Sequence, residues 1–289
     1  MAAMMGAIAG IRPRGFSPTD YDLLSWLRLG RRGGVDSWTL EPGTEDSTRR
    51  IQSVSDPGSV GGAYVQGNSL RRPEVALFRS GRAIRFGRDG SVVTLLGSTA
   101  PASAFDALID PASHTIVAAV VRLRSFPNNF QRIVTTRALG RGFTIEANST
   151  GRLRAAWNDT ESSVGAQDVD AAGALTAGAT HVIVVEREAT AATVRVDGST
   201  VATGTITLSP TTSQHPMTVG ARPDAATTTH VDGFVSCAMA FAGANLPDIG
   251  DLETYLARFP LDDPLDDWVL VDADDDYVLV DSDTDEALV

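Results

Sequence analysis

The sequence predicts an all-β protein, an antiparallel β-sandwich, and three observations support this. Short apolar runs recur across residues 83–241 with Gly, Asp, Asn or Ser between them, as in strands joined by tight turns. Residues 114–124 (HTIVAAVVRLR) are apolar on both alternating faces, which predicts a strand at the centre of a sheet. In VRVDGSTV, Asp197-Gly198 predicts a tight hairpin, because Asp-Gly accepts the positive φ angles of such turns.

Composition agrees with a folded protein whose charge is unevenly distributed. The 289 residues are 43% hydrophobic, enough to bury a substantial core, and the net charge is −12. Residues 260–289 hold twelve acidic residues and no basic one, whereas the rest of the chain has 24 acidic residues and 24 arginines. The acidity therefore belongs to the C-terminal tail, and the balance argues against binding to nucleic acid.

We expect three regions: an N-terminal arm over residues 1–16, a sandwich over 17–259 and an acidic tail over 260–289. The apolar stretch MAAMMGAIAGI is too short to cross a bilayer, so it is either a disordered end or an arm that docks on a neighbouring subunit. Cys237 is the only cysteine, which excludes an internal disulfide and a thiolate metal cluster. In the run VSCAMAF it is expected to be a small buried hydrophobe.

The sandwich is predicted to begin with a short helical turn and a strand in SPTDYDLLSWLRL, followed by a loop-like lead-in over residues 30–72. After the central strand at 114–124, the remaining segments complete the two sheets. Strands are predicted at 83–86, 92–96, 131–136, 142–147, 152–157, 180–186, 193–196, 200–205, 217–219 and 234–241. The one predicted helix is LPDIGDLETYLARF, in which Asp248 can cap the first turn.

The order of these segments resembles the concanavalin A-like, laminin-G-like jelly-roll modules found in bacteriophage structural proteins and in secreted bacterial proteins. The resemblance rests on LLSWLRL, RRPEVALF, AIRFGRDGSVVTLL and HTIVAAVVRLRS, and on a closing GFVSCAMAFAGANLPDIGDLETYLARF. It covers residues 17–259. The lead-in departs from the family because WTLEP stands where an aspartate-rich segment is usual, so the calcium or sugar ligands of such loops do not transfer.

No catalytic motif accompanies this resemblance. Glycoside hydrolysis needs two carboxylates that flank one bond, and the catalytic pattern ExDxE of the related hydrolases does not occur. Glu186 and Glu188 come nearest, and the polar segment around them indicates a surface strand end. His114, His181, His215 and His230 are dispersed without zinc-binding spacing. We therefore predict that the protein is not an enzyme and has no catalytic residue, and we keep the hydrolase as a weaker alternative.

The tail contains a nine-residue repeat, DWVLVDADD followed by DYVLVDSDT, and a third copy begins at DEALV. We predict that two apolar strands of this repeat bind a sheet edge or symmetry mates: Trp268, Val269, Leu270 and Val271, then Tyr277, Val278, Leu279 and Val280. Alternating aspartates could instead bind calcium: Asp272, Asp274 and Asp276, then Asp281, Asp283 and Asp285. Against calcium, these loops lack the glycine and the terminal glutamate of an EF-hand.

The resemblance implies a non-enzymatic virion structural protein, such as a capsid decoration protein, head fibre or tail appendage. It would display a lectin-like sandwich on the virion surface, with cell-surface glycan as a possible ligand. The arm and the tail would contact other virion proteins or further copies of the chain. The alternative is a secreted bacterial glycan-binding module or adhesin. Neither hypothesis involves nucleic acid, a membrane or a cofactor other than calcium.

Overall fold

The fold is described from a computed structural model. The described residues are 16–28, 38–40, 50–78, 81–87, 94–127, 130–161, 166–224, 229–259, 261, 268–273, 276–281 and 287–288. Within them, a 3₁₀ turn at Pro18–Asp20 leads into a series of antiparallel strands. The helix α1 (Ile249–Leu256) follows the last strand of the sandwich.

Seventeen strands of the described residues build the sandwich. In chain order they are β1 (Leu23–Arg28), β2 (Trp38–Leu40), β3 (Ile51–Ser55), β4 (Ala63–Val65), β5 (Glu74–Phe78), β6 (Gly81–Phe86), β7 (Leu96–Ser98), β8 (Thr115–Leu123), β9 (Gln131–Thr135), β10 (Gly142–Ala147), β11 (Leu153–Asn158), β12 (Gln167–Ala171), β13 (Thr180–Glu188), β14 (Ala191–Val196), β15 (Ser199–Thr205), β16 (Thr218–Val219) and β17 (Gly233–Ala242).

The strands form two antiparallel sheets. The first sheet has the order β15-β14-β13-β8-β17-β6-β5, and β1 pairs with the end of β17 that β6 leaves free. The second sheet has the order β12-β11-β10-β9-β16-β7-β4-β3-β2. Their inner faces enclose one large apolar core, and this confirms the predicted antiparallel sandwich of jelly-roll type with one short C-terminal helix.

Strand β8 lies at the centre of the first sheet and is buried on both faces, as its sequence predicts. Val117, Ala119 and Val121 point into the main core. Ile116 and Val120, on the opposite face, belong to a second apolar cluster beneath α1. A strand covered on both sides needs apolar residues at every position, which explains the absence of polar alternation in its sequence.

Helix α1 covers the outer face of the first sheet. Asp248 caps it, and its carboxylate accepts hydrogen bonds from the amides of Gly250 and Asp251 at 2.8 and 3.2 Å. The side chains of Leu252 and Leu256 pack into the apolar cluster on that face. The predicted helix and its cap are therefore confirmed, and so is the burial of Cys237 in the same cluster.

The predicted hairpin joins β14 to β15. Asp197 and Gly198 have φ angles of 51° and 80°, the left-handed values that a two-residue hairpin turn requires. The Asp197 carboxylate also accepts hydrogen bonds from the Val182 amide at 2.8 Å and from the Nδ1 of His181 at 2.7 Å. The turn thus ties β14 to the start of β13.

The predicted loop-like lead-in is wrong, because residues 38–65 supply β2, β3 and β4 of the second sheet. Ile51, Val54 and Tyr64 are fully buried in the main core. These strands are short and their apolar side chains are few, so pairing with β7 organises them more than local sequence does. Strands β5 and β12 were also missed. Of the strand predicted at 92–96, residues 92 and 93 lie outside the described residues, and β7 begins at Leu96.

The described part of the tail forms a separate antiparallel sheet. Strands β18 (Trp268–Ala273) and β19 (Asp276–Asp281) pair in the register Val269 with Val280 and Val271 with Val278, and β20 (Ala287–Leu288) adds to β19. The two copies of the repeat therefore pair with each other. Their binding to a sheet edge or to symmetry mates stays a prediction.

Candidate functional site

The outer face of the second sheet is polar, unlike the helix-covered face of the first. In β10 the alternate residues Phe143, Ile145 and Ala147 enter the main core, so Thr144 and Glu146 face outward. The same alternation in β11 and β12 buries the apolar residues of each strand and leaves the charged ones outside. The outward-facing side chains of this sheet therefore form the surface on which a ligand site can be built.

A row of alternating charges crosses four strands of this face. Arg132 on β9 lies opposite Glu146 on β10, and Glu146 lies opposite Arg154 on β11. Arg154 in turn lies opposite Asp170 on β12. Directly opposed side chains of opposite charge stabilise antiparallel pairs, so the register of the strands itself assembles the row.

Glu146 is the centre of the row and is only 1% exposed. Its Oε1 accepts a hydrogen bond from the Arg154 Nε at 2.5 Å and also contacts the Arg154 Nη2. Its Oε2 lies 2.9 Å from the Arg132 Nη1, although the two atoms are not aligned as a hydrogen bond. One buried carboxylate thus holds two guanidinium groups in place.

An open cleft of about 230 Å³ lies over this row. Its lining residues are Phe130, Glu146, Asn148, Arg152, Arg154 and Asp170. The ring of Phe130 is 41% exposed, and the Arg154 guanidinium lies over it, 4.8 Å from the ring centroid. The cleft therefore offers an aromatic surface beside planar polar groups.

Side chains at the mouth of the cleft are fixed by ion pairs and turn hydrogen bonds. Arg152 donates from Nη2 to the Asp170 Oδ2 at 2.6 Å. The Asn148 Oδ1 accepts from the amides of Thr150 and Arg152 at 2.9 and 3.0 Å, so its oxygen closes the β10–β11 turn. These bonds hold the mouth in one arrangement, which lowers the conformational entropy that a ligand must remove.

Two more arginines lie near this row. Arg137, which follows β9, is within electrostatic reach of Glu146. Arg222, which follows β16, is within electrostatic reach of Arg132 and Arg137. Burial, together with repulsion from the neighbouring arginines, lowers the pKa of Arg132 to about 10, although Glu146 opposes the shift. Burial lowers the pKa of Arg137 in the same way.

The residues that the sequence singled out lie elsewhere. Glu186 and Glu188 share the outward face of β13 in the first sheet, as strand alternation predicts, and the Glu186 Oε1 lies 2.9 Å from the Nε2 of His114. His181 contacts Asp197 in the hairpin. No group of three or more His, Cys, Asp or Glu side chains is placed to hold a metal ion in the part of the chain that the structure describes.

The tail residues that the sequence predicts as a binding site lie in β18 and β19 or outside the described residues, and none of them is among the described residues that line the cleft. The backbones of Trp268, Val269, Leu270 and Val271 lie in β18, and those of Tyr277, Val278, Leu279 and Val280 lie in β19. Asp272, Asp276 and Asp281 belong to the same two strands, whereas Asp274, Asp283 and Asp285 lie outside the described residues. Calcium binding by these aspartates stays a prediction.

Sequence reasoning missed the cleft because its residues come from separate strands and turns. A usable signal was the alternation in FTIEANSTGRLRAAW, where Glu146 and Arg154 occupy the outward positions of two predicted strands. With the short turn between them, that pattern could have placed the two charges opposite each other. It could not have identified Arg132, because the longer connection between β9 and β10 leaves their register open.

Comparison with known protein families identifies the superfamily of this chain. The family model of the concanavalin A-like lectin/glucanases superfamily matches residues 96–246, slightly more than half of the chain. The chain belongs to the concanavalin A-like lectin/glucanase superfamily. The matched residues include β7 to β17, and hence every lining residue of the cleft. Comparison with curated proteins gives no match.

Comparison with solved structures finds similarities at low sequence identity. The binding domain of botulinum neurotoxin serotype D/C is 10% identical with a TM-score of 0.50, and the match covers 87% of this chain and 55% of that one. A structure of botulinum neurotoxin type C, whose cell entry depends on two ganglioside molecules, is 11% identical (TM-score 0.45; 73% and 51% covered). The CBM40 domain of the Ruminococcus gnavus IT-sialidase, bound to α2,3-sialyllactose, is 12% identical (TM-score 0.41; 50% and 83% covered).

The likeness to the serotype D/C binding domain, at a TM-score of 0.50, shows the fold alone. This chain spans about half the length of the two botulinum proteins. Among the described helices, none is both long enough and apolar enough to cross a lipid bilayer.

Proposed function

We propose that this superfamily member is a non-catalytic carbohydrate-binding module whose ligand occupies the cleft on the outer face of the second sheet. The observation that carries the proposal is an exposed aromatic ring, Phe130, bordered by fixed polar side chains in an open cleft. Ligand sites combine an apolar or aromatic surface with a few convergent polar groups in this way. The superfamily, which includes lectins, supports a sugar as the ligand class.

The chemistry of the cleft suits a sugar. The face of a pyranose ring presents C–H groups, which pack against the negative face of an aromatic ring such as Phe130. The rim hydroxyls of a sugar both donate and accept, and they can pair with the guanidinium of Arg152 and the carboxylate of Asp170. Both groups are already held in position by their mutual ion pair, so few rotamers need ordering on binding.

The state of Glu146 supports binding rather than hydrolysis. A glycosidase needs two carboxylates free to transfer a proton and to attack or activate water. Glu146 is buried and both of its oxygens face arginine nitrogens. Asp170, the other carboxylate lining the cleft, pairs with Arg152. Both carboxylates therefore act as structural partners of arginines in this proposal.

The test is a glycan array on the full-length protein, followed by calorimetry on any glycan that binds. Phe130→Ala should weaken binding roughly tenfold or more, because it removes the aromatic surface at one edge of the cleft. Val201→Ala is the matched control, since Val201 is 39% exposed but lies on β15 at the edge of the first sheet. Equal affinity of the two variants would show that sugar binds elsewhere.

We further propose that the module is displayed on a virion as a structural component, with the arm and the tail contacting other virion proteins or further copies of the chain. The three-stranded tail sheet supports this role because its edge strands, β18 and β20, are positions at which a neighbouring chain can add a strand. The alternative location is a secreted or surface-bound bacterial adhesin. Fixed stoichiometry in purified particles would favour the virion, and sugar binding by a free secreted monomer would favour the adhesin.

We also propose calcium as a cofactor. Its ligands would be Asp272, Asp274, Asp276, Asp281, Asp283 and Asp285. Alternating carboxylates supply the hard oxygen ligands that calcium prefers. Calorimetric titration of the chelator-treated full-length protein with calcium tests the assignment. Heat of binding that disappears when Asp272 and Asp281 are both replaced by Asn would support it, and titration without heat would remove it.

A further inference from the structure

The buried part of the polar face contains more guanidinium groups than carboxylates. Arg132 and Arg137 are each 5% exposed, and among the described residues Glu146 is the one acidic group within electrostatic reach of both. No carboxylate among the described residues forms an ion pair with Arg137, whose Nη2 donates only to the Leu139 carbonyl at 3.4 Å. Arg222 pairs with Asp224. Arg154 shares Glu146 with Arg132, and its Nη1 also donates to the more exposed Asp168 at 3.3 Å.

Several donor atoms of this cluster lack an acceptor. The Nε and Nη1 atoms of Arg132 and of Arg137, and the Nε of Arg222, are buried without a hydrogen-bond partner among the described residues. A buried charge normally has a partner, because its desolvation is otherwise uncompensated. The lowered pKa values of Arg132 and Arg137 have the same cause, since burial and mutual repulsion both disfavour the charged guanidinium.

An anion bound in the cleft would compensate this excess of buried positive charge. Arg154 connects the cluster to the solvent, because its guanidinium lines the cleft while its Nε and Nη2 contact Glu146. Its charge is also within reach of Arg132 and Arg137. The interactions of partly buried charges are weakly screened by salt, so the buried arginines act on an anion held at the cleft without touching it.

We infer that the ligand of the cleft carries a carboxylate, so that the protein recognises an acidic sugar rather than a neutral one. The inference rests on the proposed function and specifies its substrate class. Arg152 and Arg154 would receive the carboxylate at the cleft, since a guanidinium matches the planar fork of a carboxylate with paired N–H donors. Arg137 does not line the cleft and acts as a positioning residue, whose positive charge adds to that of Arg154.

The experiment compares sugars that differ only in charge, using the full-length protein and calorimetry. Oligogalacturonate is paired with its methyl ester, sialyllactose with lactose, and a sulfated galactan oligosaccharide with its unsulfated form. We expect at least one carboxylate sugar to bind roughly tenfold more tightly than its neutral partner. Equal binding of acid and neutral partner overturns the inference and leaves sugar binding intact. Preference for the sulfated sugar over both carboxylate sugars also overturns it.

A pair of charge-matched variants tests the arginine cluster itself. Arg137→Gln should lower affinity for the acidic sugar severalfold and leave affinity for the neutral partner unchanged. Arg258→Gln is the control, because Arg258 is exposed just beyond α1 on the opposite sheet. Equal affinity of the two variants for the acidic sugar contradicts the inference.

Folding of the variants is checked by thermal melting. Arg137→Gln should melt no lower than the wild type, since it removes a buried charge that forms no ion pair among the described residues and whose desolvation outweighs its attraction to Glu146. Should it fail to fold, Arg152→Gln replaces it, because Arg152 lines the cleft mouth and its side chain is 47% exposed. Loss of the acidic sugar's advantage in Arg152→Gln supports the inference, and retention of that advantage overturns it. Complete absence of binding to every sugar would instead refute the proposed function.

Discussion

Replacement of Glu146 by Gln removes one negative charge without changing the shape of the side chain. The change leaves Arg132 and Arg154 without their buried counter-charge. It also removes the one attraction that offsets the desolvation of Arg137. Breaking a buried ion pair by removing one partner costs about 3–5 kcal/mol. Because a sandwich of this size loses about 2–4 °C per kcal/mol, the melting temperature should fall by roughly 6–20 °C.

Chemical denaturation followed by tryptophan fluorescence measures the loss, since Trp157 is buried in the main core beneath the polar face. Glu188→Gln is the matched control, because Glu188 is exposed at the end of β13. The double variant Glu146→Gln with Arg132→Met should recover part of the lost stability, since it removes one of the stranded charges. Unfolding of Glu146→Gln at the same denaturant concentration as Glu188→Gln would show that the Glu146 charge does not stabilise the buried arginines.

Three further predictions concern the scaffold. Asp248→Ala should cost about 1 kcal/mol in denaturant unfolding, because it removes the cap of α1, and an unchanged midpoint would contradict the assigned cap. Burial and the nearby Asp56 raise the pKa of Tyr64 well above its ordinary value, so folded Tyr64 stays protonated while the unfolded residue ionises near pH ~10. Stability should therefore decline as pH rises above that value, and less steeply in Tyr64→Phe; parallel declines would contradict this. Gly220→Ala should cost about 2–4 kcal/mol in thermal melting, since φ is +94° and a Cβ would lie 2.1 Å from the Phe86 ring, whereas Gly173→Ala meets no atom and should cost less.

The sequence predicts the fold where each strand carries its own pattern. Strand β8 is apolar on both faces, β17 is a long apolar run, and Asp197-Gly198 punctuates the β14–β15 hairpin. Local chemistry is sufficient at these places, because side-chain alternation and turn conformation depend on neighbours in the sequence. The bounds of β10 agree with the prediction to the residue for the same reason.

Strands β2 to β4 could not be predicted in this way. Each is short, and the polar and glycine-rich sequence around them is typical of loops. Their burial depends on pairing with β7 and on a buried cluster in which the Ser25 hydroxyl donates to Asp56 at 2.5 Å and lies 2.5 Å from the Tyr64 hydroxyl. Such contacts join residues far apart in the chain, so no local window contains the information.

The cleft was missed for a related reason. Its charged row depends on the register of four strands, and the shift between Ile145 and Glu146 sets which residue of β9 lies opposite Glu146. A slip of one residue would turn Arg132 toward the core, and the sequence alone does not exclude that slip. The repeat of the tail is visible in the sequence, whereas the residues of the cleft become neighbours only after folding.

Nuclear magnetic resonance is the most direct test of ligand binding on the outer face of the second sheet. Spectra of the arginine Nε–Hε groups and backbone amides are recorded while the full-length protein is titrated with the tightest-binding sugar from the array. We predict that the signals of Arg152, Arg154 and the Phe130 amide shift first, in proportion to occupancy. Shifts confined to the helix-covered face, at His114 and Glu186, would place the ligand on the other sheet and contradict the account.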